Sequence, residues 1–450
     1  MLEHGHNGLE LKTHHNPLDV GFPNGTVKGN VKFGIDKIIG GYSQIGNGWK
    51  MLMECLAAGR AVSLPACANA SSKVAIFGIY HYIYNRKQFK LPLIKMEAIE
   101  EKFLNMLYNT WIINASIQMT NNILDDGIEP AVISAIMKQQ CTERGRIVMN
   151  EAMDIYAGSA ICKGPNNFLE PFYKSIPVGI TVEGSNTLTR NLIIFGQGLN
   201  KSHPHISDLL DAVYIKGSIP DFENNFDKMI KHVLNNYYRT INPKCNYNIK
   251  YESTNDNISD TYNILDEHNI IKFKYKKEIS RQLAVFATLS NFISLKGGAI
   301  KREQYLSGLM ADLLSNLYMI KSVIWFEKHE CISNKITEYC IKRLIKENQY
   351  TINKIIDNMD YKLLFKHMKS NINEYNDKKL KNYIMIELEY NRNILNSISS
   401  NIYKSQILKN LEELTNIKKS FLDNKEDYES FIGYKKLYEK VISVGEFNNI

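Results

Sequence analysis

The sequence lacks the marks of several protein classes. Its seven cysteines (Cys55, Cys67, Cys141, Cys162, Cys245, Cys331, Cys340) are scattered, odd in number and form no CxxC pair. They read as free thiols of a reducing compartment rather than a disulfide framework. No uninterrupted apolar run reaches 18 residues, so no membrane-spanning helix is expected. The opening MLEHGHNGLELKTHHNPLDV has neither the basic start nor the apolar stretch of a secretory signal. Arginine is scarce, about 10 against about 45 lysines, and no arginine cluster is visible. A nucleic-acid partner is therefore not expected. There is no P-loop, no GxGxxG after a strand, no HExxH and no GxSxG.

What is present is ordinary globular material. The chain has 450 residues, 44% hydrophobic, 23% charged and 10% aromatic, which excludes wholesale disorder. Its length suits two or three domains. The formal charge of +8 is spread over 55 cations and 47 anions.

The hydrophobic period changes along the chain. The first 45 residues are rich in Gly, Asn and Pro, and Val27 to Ile39 alternates with Val31, Phe33 and Ile35 apolar, which predicts strand. Two strands cannot bury a core, so this start reads as the tail of a larger sheet. From Trp49 the period is helical. A long helix is expected over Met51 to Tyr84, kinked at Pro65. The next carries Ile99, Phe103, Met106, Thr110 and Ile113, and ends before Asp125-Asp126-Gly127. A third starts near Pro130, a residue suited to a first turn, and runs to Tyr156. Residues 157–185 hold many glycines and prolines and read as loop-rich with short inserts, with a helix from Asn186 to Phe195 after Ser185. Residues 241–270 are polar and non-periodic. Beyond them, Ile279 to Ile293 and Leu306 to Ile324 mark two helices joined at Lys296-Gly297-Gly298, and the last hundred residues keep helical spacing. The fold class is mainly α with a β remnant at the start. The boundaries are 1–45, 46–215, a polar excursion over 216–272, and 273–450.

Few residues announce chemistry. His4, His6, His14 and His15 have no regular spacing, and His203 and His205 flank a proline. All read as solvated or loop histidines, and no metal is expected. Glu183 lies between the apolar Ile180-Thr181-Val182 and Gly184, just ahead of a helix. Such a carboxylate is most often a cap or dipole partner, and in apolar surroundings it is also suited to proton abstraction.

TVEGSNTLTRNLIIFGQG resembles the catalytic segment of the acyl-CoA dehydrogenases, usually Ile-x-Glu-Gly-Thr. FPNGTVKGNVKFGIDKIIGG, GWKMLMECLAAGRAVSLPA, CTERGR, GPNNFL and SIPVGITVEGSNTLTR resemble the long-form bacterial fatty acyl-CoA dehydrogenases of β-oxidation. FISLKGGAIKREQYLSGLMADLLSNLY is similar to the extra C-terminal helical domain of that subfamily. The resemblance is dense over residues 8–215, returns over 275–330, and fades afterwards. It implies a C-terminal helical bundle at 46–215, preceded by the end of a middle β-domain at 1–45 and followed by the extra helical domain at 273–450.

The resemblance also implies a reaction: dehydrogenation of a medium- or long-chain fatty acyl-CoA to the trans-2-enoyl-CoA, with FAD as cofactor. A glutamate removes the α-proton while the β-hydride passes to flavin N5. Glu183 matches that base. Some relatives carry the base beside the arginine of the long helix; here that neighbour is Gly59, preceding Arg60, so Glu183 is the candidate in a family position. A carboxylate is a weak base for such a proton, so the resemblance implies help from donors to the thioester carbonyl, including the base's own backbone N–H, and from exclusion of water. Arg86, Gln88 and Phe89, in YNRKQFKLPL, match a motif whose arginine reaches the flavin of a neighbouring subunit. Lys90 stands where that motif has glycine. Ser185 takes the place of a threonine near the flavin. Gly158 lies in Ala157-Gly158-Ser159-Ala160, where the family has Gly-Gly-x-Gly, so two glycines have gained a methyl. Arg60 is expected to order the edge of the active site.

The implied partners are the acyl-CoA substrate, an electron-transfer flavoprotein as acceptor, and either further copies of the chain or a complementing N-terminal chain. The expected location is cytoplasmic, with a membrane-peripheral position left open. A second reading is a truncated, catalytically silent helical interaction module descended from such an enzyme.

Overall fold

The computed structural model describes residues 5–21, 23–128, 131–199, 203–242, 270–372 and 377–442. The chain is mainly α, as the hydrophobic periods predict.

At the start, β1 (Leu9–His14) and β2 (Gly25–Gly29) pair antiparallel, Leu9 opposite Gly29 and Leu11 opposite Val27, with an irregularity before His14. The expected strand over Val27 to Ile39 is corrected. Only its first residues pair, and Ile35–Lys37 forms a 3-10 turn. A strand exists by virtue of a neighbour, and the alternating side chains of Phe33 and Ile35 find none among the described residues. Both are exposed.

Helix α1 (Gly48–Asn85) runs through Pro65 without interruption. From Ser71 to Ile83 every residue is buried. A surface helix buries one stripe, so this half of α1 is an axis enclosed on all sides. At Gly78 an added Cβ would come within 2.4 Å of the Phe168 ring and 2.8 Å of Leu408, so glycine is needed for this close approach. After the short pair β3 (Lys87–Gln88) and β4 (Leu91–Pro92) comes α2 (Glu97–Asp125). It runs antiparallel to α1, with Tyr80 beside Phe103 and Asn69 bonded to Asn114. Helix α3 (Ala131–Tyr156) runs parallel to α1. Gly145 seats against Ala68 at one end and Tyr156 meets Tyr82 edge-on, centroids 4.6 Å apart, at the other.

Two stretches expected as loop-rich or as a polar excursion each carry a longer helix than expected. Within 157–185, α4 spans Glu170–Thr181, with Pro171 in its first turn, where a missing N–H leaves no bond unmade. Within the expected excursion at 216–272, α5 spans Ile219–Ile241, capped by Ser218 and with Pro220 in its first turn. Residues 243–269 of that excursion, including Cys245, lie outside the described residues.

Helices α6 (Ile270–Ser294) and α7 (Gln304–Glu330) form the expected hairpin, turning where Gly297 takes φ +53. Then follow α8 (Asn334–Asp357), α9 (Lys378–Tyr390), α10 (Arg392–Ser399), α11 (Gln406–Asp423) and α12 (Ile432–Val441). One continuous hydrophobic core runs from Ala68 to Ile442. The C-terminal helices therefore complete the bundle: Leu408 of α11 meets Gly78 of α1, and Lys418 donates to the carbonyl of Tyr84 at 2.6 Å. Gly59–Asn85 and Gln304–Glu330 are long and apolar enough to cross a membrane, but 61% and 67% of those windows are buried inside the fold. They are core helices.

Candidate active site

The parallel course of α1 and α3 puts two clusters of motif residues at opposite ends of one helix pair. Arg60 and Arg86 are 26 residues apart on and just after α1, which at 1.5 Å per residue is ~39 Å.

At the first end, α4 stops at Thr181 and the chain makes a tight turn. Glu183 adopts φ +56 and Gly184 φ +90. A left-handed glutamate is unusual and persists only where its surroundings hold it. Two cations do so. Arg60, 5% exposed, donates from Nε to the Glu183 carbonyl oxygen at 2.9 Å. Lys138 of α3, fully buried, donates from Nζ to the Gly184 carbonyl at 2.7 Å, to Asn186 Oδ1 at 2.7 Å and to the Ile180 carbonyl at 3.3 Å. Asn186 is fixed in turn by donating to Thr142 and Glu143, each at 2.9 Å. Burial pushes the Arg60 guanidinium below its ordinary value, with Glu183 pulling the other way. Burial, then Arg60, push Lys138 down to about 8 against the pull of Glu183 and Glu143.

The Glu183 side chain lies over Gly59. A Cβ added there would sit 3.4 Å from Oε1 and 3.5 Å from Oε2. The absent side chain thus leaves the space that the carboxylate faces. Oε2 is buried with no hydrogen-bond partner. A buried unpaired carboxylate oxygen is a costly feature without a role, and it is what a proton acceptor waiting for substrate requires.

Ser185 is exposed, and its hydroxyl accepts from the Leu188 N–H at 3.3 Å as a helix cap. The expected helix from Asn186 to Phe195 begins as a single α turn and continues as a π-helix over Thr189–Gln197. Such windings gather at functional sites. Inside it, Arg190 makes a two-pronged bond to Asp312 of α7, at 2.7 and 2.5 Å. Gly308, one turn before Asp312, leaves room: an added Cβ would lie 2.4 Å from Arg190 Nη1.

At the other end Arg86 is half-buried at the C-terminus of α1, while Gln88 and Phe89 are exposed, Phe89 to 91%. Phe89 and Lys90 form the β3–β4 turn at φ +51 and +65. Lys87 pairs with Glu429, tying this end to the C-terminal segment. Gly158 follows Ala157, which takes φ +53 and ψ −129, a conformation that favours glycine. The side chain added at 157 thus coexists with the backbone shape of a glycine.

Of the seven residues singled out in the sequence, the fold brings Glu183, Arg60 and Ser185 together at one end, and Arg86, Gln88, Phe89 and Gly158 lie at the other. Lys138, Asn186 and Asp312 were missed. For Lys138 no local signal existed: the residues one turn before and after it, Ser134 and Thr142, are themselves polar and buried. His203 and His205 lie in a loop, as expected, just ahead of a helical turn at Ile206–Asp211, and form an edge-on trio with His232, centroids 5.4–6.2 Å apart. Both ring nitrogens of His203 are engaged, Nε2 with Asn291 and Nδ1 by two backbone N–H groups.

A family model described as acyl-CoA dehydrogenase, C-terminal, bacterial type, matches residues 200–426. A second, acyl-CoA dehydrogenase, C-terminal domain, matches residues 46–196. Among curated proteins, Protein HemX of Proteus mirabilis is 45% identical over 69 residues, 15% of this chain and 41% of that protein. Acryloyl-CoA reductase (NADH) of Anaerotignum propionicum is 26% identical over 148 residues, 33% of this chain and 37% of that protein. The acyl-CoA dehydrogenase of Bacillus anthracis, solved with FAD, superposes with a TM-score of 0.59 at 15% identity, over 86% of this chain and 64% of its own. Acyl-CoA oxidase3 of Yarrowia lipolytica superposes with a TM-score of 0.53 at 15% identity, over 99% of this chain and 65% of its own. The chain thus spans about two fifths of those curated relatives and just under two thirds of those solved structures.

Proposed function

Because the chain belongs to the acyl-CoA dehydrogenase family, we propose that it takes part in flavin-dependent dehydrogenation of a medium- or long-chain fatty acyl-CoA to the trans-2-enoyl-CoA, with Glu183 as the α-proton base. The observation that carries this reading is the Glu183 carboxylate over Gly59, one oxygen buried and unpartnered, on a left-handed turn clamped by two cations.

Each residue has a task. Glu183 accepts the α-proton. Arg60 and Lys138 keep the turn closed around it, and Gly59 keeps the approach open. The backbone N–H groups of Glu183, Gly184 and Ser185 make no hydrogen bond among the described residues. That of Glu183 is the donor proposed for the thioester carbonyl, where negative charge grows as the proton leaves. A bound FAD supplies the hydride acceptor.

The residues present fit a flavin in two halves. The Glu183 end offers free N–H donors and a polar cap at Ser185. The Arg86 end offers a half-buried guanidinium, Gln88, Phe89 and the backbone at Gly158, suited to a pyrophosphate. With ~39 Å of helix between the ends, one chain does not bring both to one flavin. A second copy presenting its Arg86 end to the Glu183 end is the arrangement proposed. The β1–β2 hairpin is a two-stranded sheet with Val27 exposed, as are Phe33 and Ile35 in the chain that follows it. We assign it as the docking edge for a complementing N-terminal half that walls the acyl pocket. An electron-transfer flavoprotein is the proposed acceptor, and the cytoplasm the proposed location.

The test is flavin absorbance of the purified chain, alone and co-expressed with a complementing N-terminal half. Flavin is expected only in the combined preparation, bleaching on addition of acyl-CoA. Stoichiometric flavin and enoyl-CoA formation by the lone chain would refute the need for that half. A combined preparation that holds no flavin would favour the silent helical module.

A further inference from the structure

The orientation of two peptide planes decides what the Glu183 turn offers. The Glu183 carbonyl oxygen is held by Arg60 at 2.9 Å, and the Gly184 carbonyl by Lys138 at 2.7 Å and Thr189 Oγ1 at 3.3 Å. In a planar trans peptide, the C=O of one residue and the N–H of the next point in opposite directions. Drawing both carbonyls onto buried side chains therefore turns the Gly184 and Ser185 N–H groups the other way.

We infer that Lys138 is a positioning residue, whose buried ammonium fixes the Gly184–Ser185 peptide plane, as Arg60 fixes the Glu183–Gly184 plane, and so helps present the carboxylate and these two free N–H donors together. The inference rests on the reading of this turn as the catalytic segment. Two features of Lys138 suit it to this task. It gathers three acceptors, from the end of α4, the turn and the start of the next helix, around one point, which an ammonium does and the planar arginine fork does not. It also stands among charges of both signs: Arg60 from α1, Glu183 from the turn and Glu143 from α3 itself. A neutral apolar side chain here would leave the Gly184 carbonyl to Thr189 alone and strip Asn186 Oδ1 of its donor.

The experiment is amide hydrogen exchange on the full chain, without flavin or acyl-CoA, for wild type, Lys138→Met and Lys138→Arg. The probes are the Val182 and Thr189 amides, which bond across the turn's two flanks to Val178 and Ser185. Amides of α8 report global opening. Lys138→Met should exchange at least tenfold faster at Val182 and Thr189, with α8 unchanged, and Lys138→Arg should recover part of the protection. Unchanged exchange at the turn in both variants would overturn the inference. So would an equal rise throughout α8, which would make Lys138 a folding residue only. Should Lys138→Met not fold, Lys138→Arg decides alone: a local rise at the turn supports the inference, and none contradicts it. No flavin enters the measurement, so failure of the dehydrogenase reading leaves this outcome untouched.

Discussion

The two ends of the α1–α3 pair are built on opposite terms. At the Glu183 end, cations from inside the chain meet the carbonyls of the turn, and the one exceptional backbone conformation is paired with an orphaned carboxylate oxygen. At the Arg86 end, Phe89, Lys90 and Ala157 all hold positive φ, Phe89 is almost wholly exposed, and little in the chain covers the motif. Among the described residues, one end is held closed by its own chain and the other leaves Gln88 and Phe89 exposed. Strain at a functional site persists where the surroundings over-determine it. The Glu183 turn has those surroundings; at the other end Phe89, Lys90 and Ala157 carry side chains on a backbone of the kind that favours glycine.

The comparison is broken most severely by Arg86→Ala. If this end serves a flavin, the variant should lose a charge-assisted contact of about 1.5–3 kcal/mol, roughly ten- to a hundredfold in flavin retention, with the melting temperature nearly unchanged. Equal flavin content in the combined preparation would make the motif structural only.

Asp312→Asn tests whether the Glu183 end depends on the C-terminal helices. Both partners of the Arg190–Asp312 pair keep about a third of their side-chain surface in water, so the loss should be about 1–2 kcal/mol in urea denaturation. No change in midpoint would show the clasp to be incidental.

Ala157→Gly should stabilise the chain by about 1 kcal/mol, since relief of a strained φ exceeds the entropy that glycine adds to the unfolded state. Lys90→Gly should gain about half that. Destabilisation by both would mean that neither backbone is strained.

The pH dependence of stability separates the two ends in another way. Lys138 titrates at about 8 in the folded chain against 10.5 ordinarily. Between those values the unfolded chain holds a proton that the folded chain has released, so stability should rise with pH across the window. Lys138→Met should lack that component. Identical slopes for the two proteins would contradict the burial of a titrating amine.

How much of this was legible in the sequence differs between the regions. The helices of α1 to α3 and of the α6–α7 hairpin follow from apolar spacing, because that spacing reports burial against a partner. Helix α4 was hidden because Pro171 and Pro177 read as breakers, although the first occupies a position where proline leaves nothing unsatisfied. Helix α5 was hidden by polarity: Phe226, Ile230, Leu234 and Tyr238 have helical spacing but stay exposed. At the candidate site, Glu183 and Arg60 stood out through their motifs. Lys138 and Asp312 did not, because each acts by meeting a segment dozens of residues away, and no local pattern records such a meeting.

Glu183 as the proton acceptor is the centre of the account, and flavin bleaching by acyl-CoA in Glu183→Gln, combined with the complementing N-terminal half, tests it most directly. The amide keeps the shape but accepts no proton, so flavin should stay bound while bleaching slows by about 10²–10⁴-fold. Bleaching at the wild-type rate would contradict the account.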